Sequence, residues 1–185
     1  MPSSTFLRQR SDYRNLLVYR KCECIYDLTY YFINKFIAKG DRTADQMLQA
    51  ARSGKQNIAE GSAASVTSRE TEIKLTNVAK ASLKELLEDY IDYLRTRSLP
   101  LWQPGDPKFE QARRVCSAHS DSAYYREAAA TRSDSAIANI TVILLNQTDY
   151  LLFRLIESQK KAFLAQGGIR EEMTRARLAH RNLHK

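Results

Sequence analysis

The sequence predicts an all-α protein: an up-and-down four-helix bundle, with a helical segment inserted between helices three and four and a basic C-terminal helix. Three observations carry that expectation. Apolar residues recur at spacings of three and four over four long stretches, which lines one face of a helix. Six Gly and four Pro in 185 residues are too few for a many-turned β protein. The strongest breakers fall between the stretches, at Gly40, at Leu99 to Pro107 and at Gly167-Gly168. The division that follows is a basic arm over 1–14, a bundle over 15–166 with its insertion at 99–133, and a basic amphipathic tail over 167–185.

The first helix is expected from Leu17 to Lys39, with Val18, Cys22, Ile25, Leu28, Phe32 and Phe36 on one face and Gly40 as its stop. Thr43 and Gln46 fit a capping box for the second helix. Ala44, Met47, Ala51, Gly54 and Ile58 share its apolar side, and Gly61 is expected to end it. A glycine inside a helix costs about 1 kcal/mol relative to alanine, so Gly54 points to a neighbouring helix that approaches closely.

Thr67 and Glu70 offer a second capping box, opening a third helix to about Ser98. Its stripe includes Ile73, Val78, Leu83, Leu86, Leu87, Tyr90 and Leu94. Glu85, Glu88, Asp89 and Asp92 crowd the end where the helix dipole disfavours anions, which suggests that positive charge meets them from the termini or another subunit. A di-metal carboxylate site would need Glu-x-x-His pairs, and the chain has none.

Asp106 followed by Pro107 predicts a short helix to about Ala118, while 120–133 reads either as another short helix or as the lead-in to the last one. The fourth long helix runs from Asp134 to about Gln166. It is apolar off its core seam as well, at Val142 to Leu145 and Leu151 to Phe153, so something must cover it. A subunit interface is the favoured cover, ahead of the 99–133 segment and the tail. Beyond Gly168, Ile169 to Lys185 form one more basic helix.

Hydrophobic residues at 43% and charged residues at 27% are ordinary globular values and argue against wholesale disorder. Three cysteines make no disulfide framework and suit a reducing cytoplasm. No apolar run approaches the ~20 residues of a membrane span, and Met1 to Lys21 lacks a signal peptide's apolar core. Neither membrane nor export is expected.

The net charge of +8 is unevenly placed. Arg8, Arg10, Arg14, Arg20 and Lys21 face only Asp12 in the first 21 residues, and Arg170, Arg175, Arg177, Arg181 and Lys185 face only Glu171 and Glu172 in the last twenty, so seven of the eight net charges sit at the ends. Basic ends suit RNA or an acidic partner surface, and solvated termini explain the same count. Cys116 and His119, one turn apart, supply only half of a zinc site. With no nucleophile–base pair, phosphate loop or cofactor fingerprint, the chain is expected to be non-enzymatic and to need no cofactor.

One stretch carries a family likeness. Ala51-Arg52-Ser53 followed by Asn57-Ile58-Ala59-Glu60-Gly61, then Ser68-Arg69-Glu70, Ala79, Ser82-Leu83 and Glu85-Leu86, resembles the proteins encoded in intervening sequences of bacterial 23S ribosomal RNA genes. Leu17 to Lys21 is similar to that family's opening. The resemblance implies a four-helix bundle that assembles as a homopentamer. A more distant likeness is to the accessory protein of diversity-generating retroelements, a pentamer that binds nucleic acid and a reverse transcriptase. The 99–133 insertion and the tail depart from the family's shorter pattern and look like its extended variant. Within the motif, Gly54 and Gly61 are expected to set helix approach and ending. Asn57 is expected to bond a neighbouring helix or the turn, and Glu60 to pair with Lys55, Arg52 or a basic residue across the bundle. A self-associating, RNA-binding module is therefore the leading expectation, and a purely structural interaction module the alternative.

Overall fold

The computed structural model describes residues 12–183. Among them are seven α-helices and no strand, so the expected four-helix bundle is corrected to a seven-helix, all-α fold. The reason lies in 99–133. This segment forms two helices whose apolar residues enter the main core, so it is part of the packing.

A 3-10 turn, Tyr13–Asn15, comes first; the Asp12 side chain accepts from Arg14 N at its start. Helix α1, Leu17–Phe36, stops three residues short of the expected end because Ile37 is already extended. Gly40 sits in the following turn at φ +86° and does not terminate α1. Helix α2, Arg42–Ala64, is capped by Asp41, which accepts from Thr43 N at 2.9 Å. The capping box expected at Thr43 is therefore two residues too late. Nor does Gly61 end α2, since the helix continues for three residues beyond it.

Helix α3, Arg69–Thr96, takes Ser68 as its cap, one residue after the expected Thr67. Helix α4, Pro107–Ala118, begins after Asp106 as expected. Helix α5, Ser122–Ala130, resolves the ambiguous stretch, with Asp121 accepting from Ala123 N. Helix α6, Asp134–Gln166, has the expected bounds, and α7, Ile169–Leu183, follows the two glycines.

Helices α2 and α3 form the most extensive pair; α3 also packs on α6, and α1 packs on α2, α5 and α6. Phe32, Met47, Leu86, Tyr90, Ile137 and Leu144 are among the largest fully buried side chains of the core. The phenol of Tyr90 donates to Thr29 Oγ1 there at 3.1 Å, which satisfies a buried hydroxyl. Ala112 and Cys116 of α4, and Tyr125 and Ala129 of α5, are buried in the same cluster.

Val142, Ile143, Leu144 and Leu145 are all buried, because α1, α3 and α4 surround this half of α6. The off-seam apolarity that pointed to a subunit interface is thus covered here by the chain's own helices. Farther along, Tyr150 and Phe153 are exposed. By length and composition alone α6 is apolar enough to cross a membrane, contrary to the expectation from the sequence, and 56% of the qualifying window is buried among the other helices.

Candidate functional site

Short connections place the helix ends. The five residues between α1 and α2 bring the two helices side by side as an antiparallel pair, with Lys55 Nζ 4.2 Å from the centroid of the Tyr26 ring, so the start of α1 lies beside the end of α2. After four connecting residues α3 begins at Arg69. The Arg69 guanidinium donates to the carbonyls of Ala162 (3.0 Å) and Gly167 (3.1 Å), and pairs with Glu172 of α7 at 2.5 Å. The start of α1 and the start of α7 therefore share one end of the molecule. Arg14 and Arg20 are exposed there, and Arg175, Arg177 and Arg181 are exposed along α7. Arg8, Arg10 and Lys185, and the side chain of Arg170, lie outside the described residues.

Lys21 departs from the expected basic surface. It is 2% exposed, and its Nζ donates to the carbonyls of Cys116 and His119 at the end of α4. A cation suits that place, since the helix C-terminus carries partial negative charge and free carbonyls. Burial pushes the Lys21 pKa below 10.5. Tyr125 OH also donates to His119 O, at 3.2 Å, so α1, α4 and α5 meet at one knot. The sequence carried a signal for this: Lys21 falls three residues after Val18 and four before Ile25, on the buried face.

The thiols near this knot are inert. Cys22, Cys24 and Cys116 are buried and free. Burial pushes all three up, Cys24 to about 12 and Cys116 to about 11. His119 stacks on Tyr124 with ring centroids 3.9 Å apart, while Cys116 Sγ approaches Ile140 O. Among the described residues no three His, Cys, Asp or Glu side chains gather as a metal site needs.

The Gly54–Gly61 motif is a helix-packing device. A Cβ at Gly54 would overlap Leu83 Cδ2 and lie 2.7 Å from its Cγ. A Cβ at Gly61 would lie 3.3 Å from Glu72 O. Both glycines let α3 approach α2. Asn57 Nδ2 donates within its own helix, to Ser53 O and Oγ, and Ser53 Oγ meets Ser82 Oγ of α3 at 2.9 Å. Glu60 is exposed.

Two grooves of similar volume lie on the surface. One, between α2 and α3, is polar, about 680 Å³, and lined by Asp45, Gln49, Ser53, Ser82, Glu85 and Asp89 among others. Partial burial, with Asp92 and Glu85 nearby, raises the pKa of Asp89. The acidic cluster anticipated on α3 is thus partly paired, through Asp92 with Arg95 at 2.8 Å, and partly open. The other groove, also about 680 Å³, is largely apolar and runs between α4, α6 and the 99–106 loop. In the sequence that stretch reads only as a loop, and Trp102 within it lines the groove.

No family model, curated protein or solved structure matches the chain.

Proposed function

We infer that this is a non-enzymatic module that binds single-stranded or folded RNA through the phosphate backbone, and that it self-associates. The observation that carries this reading is that the starts of α1 and α7 lie toward the same end of the molecule, with exposed arginines at Arg14 and Arg20 and along α7, where Arg69 of α3 pairs with Glu172. Arginines grouped in this way neutralise phosphates and release counterions, giving strong salt dependence without base-specific readout. Exposed Phe153 and Leu164 on the second half of α6 support self-association. Kinship with the intervening-sequence proteins, through Asn57 to Gly61 and its flanks, belongs to the same proposal, as does a cytoplasmic location.

Titration of a labelled RNA oligonucleotide by fluorescence anisotropy over a range of salt tests the reading. Replacing Arg175, Arg177 and Arg181 together by Ala should weaken binding sharply and reduce the log–log salt slope by roughly 2, at about 0.7 per single-strand phosphate contact. Unchanged affinity and slope would refute it. A second reading, a protein interaction module whose tail rests on its own body, is favoured by the Arg69–Glu172 pair. It predicts no RNA retention at physiological salt and a protease-resistant tail.

A further inference from the structure

The apolar groove is preformed. Its wall on one side is the 99–106 loop, held by the buried amide of Asn139: Oδ1 accepts from Trp102 N at 2.7 Å, and Nδ2 donates to Pro100 O at 2.9 Å. On the other side Gln147 of α6 donates to Arg113 O and Ser117 Oγ of α4, both at 3.0 Å, which fastens the two helices below the opening. Leu101, Trp102, Phe109 and Leu151 give it an apolar and aromatic lining. Leu17, 48% exposed, and Tyr150, 57% exposed, stand at its mouth. A volume of about 680 Å³ falls within the range of small-molecule sites, whose few polar groups set ligand orientation.

The charges are one-sided. The charged side chains lining the groove are Lys21 and Arg113, with no carboxylate among the described lining residues. Lys21 is engaged with the α4 carbonyls, which leaves its positive field at the base without a free donor. Arg113 pairs with Glu110 on its own helix, outside the groove, and its side chain remains half exposed. Beside the mouth, Arg154 Nη1 donates to Tyr150 OH at 3.0 Å. An apolar channel whose charged lining side chains are both cationic, Arg113 sharing its charge with Glu110, complements a molecule with an alkyl body and one anionic head.

We propose that this groove binds a fatty carboxylate, the chain lying along Leu101, Trp102 and Phe109 and the carboxylate meeting Arg113. The site is independent of RNA binding. Trp102 is the only tryptophan, so its emission reports occupancy directly.

The test titrates the full-length protein with dodecanoate, dodecanol and dodecyltrimethylammonium, each below its micelle concentration. Dodecanoate is expected to shift Trp102 emission saturably with one site, and to bind about tenfold more tightly than the cationic amphiphile, a difference of about 1.4 kcal/mol. Arg113→Gln, at a half-exposed position, should erase that preference while leaving dodecanol binding unchanged. Leu17→Glu, at the exposed mouth, should weaken dodecanoate at least as much. Equal affinity for both head groups, no saturation, or indifference to Leu17→Glu overturns the proposal. So does an apparent affinity that falls as protein concentration rises, which would assign the groove to a second copy of the chain.

Discussion

Lys21, in the second turn of α1, donates its ammonium to the carbonyl of Cys116 in the last turn of α4, across 95 positions of sequence. The contact joins the inserted helices to the first helix and explains why the insertion cannot be separated from the core. Lys21→Met should destabilise the fold by about 1–3 kcal/mol, because it strips a donor from buried helix-end carbonyls. Lys21→Ala should cost more, since it also leaves a void. Burial depresses the Lys21 pKa, so between that lowered value and 10.5 the unfolded chain holds the proton more tightly. The advantage of wild type over Lys21→Met should therefore widen as pH rises through that window. Urea melts at several pH values measure it.

Gly54→Ala sets helix propensity against packing. Alanine gains about 1 kcal/mol in a helix interior, whereas overpacking against Leu83 costs about 1–3 kcal/mol. The expected result is net destabilisation, partly recovered in the Gly54→Ala/Leu83→Val pair, where the sum of the single effects fails. An additive cycle would show that the contact is slack.

Arg69 is 6% exposed and serves the ends of α6 and the start of α7 at once. Arg69→Ala should cost about 1–3 kcal/mol and speed proteolysis of α7 and of the Gly167-Gly168 junction. Arg69→Lys keeps the charge but not the planar fork, and should restore little of the protection. Mass spectrometry of a timed digest distinguishes the two.

Asp89 makes the opposite pH signature to an ion-paired carboxylate. Partial burial, then Asp92 and Glu85, raises its pKa, so the folded state favours the protonated form. Stability from this group is present near and below pH 3.8 and is lost as pH rises through the raised value. Asp89→Asn should therefore raise the melting temperature at pH 7, with the gain vanishing in acid.

Helix existence was legible from spacing because an amphipathic period is written into adjacent residues. The start of α4 at Asp106-Pro107 and both ends of α6 could be read in this way. Caps were less secure. Asp41 and Ser68 each stand next to or near another capping residue, and which one caps depends on where the backbone turns. Gly61 reads as a helix stop because a glycine that ends a helix and one that admits a neighbour look the same in sequence. Only the 3.3 Å gap to Glu72 O separates the two roles.

Charge placement shows the same divide. That arginines and lysines gather at both chain ends can be counted from the sequence, and so can the position of Lys21 among apolar neighbours. Which of those charges reaches solvent is a matter of what packs over them. The end of α4 removes Lys21 from the surface, and Arg69 brings α7 to the end where α1 begins. The apolar groove likewise exists only once α4 lies across α6, because its walls come from residues some twenty-five to one hundred and thirty positions apart. Periodicity and composition are local properties of a chain; covering, pairing and cavity shape arise from contacts between distant segments, and no window of sequence contains them.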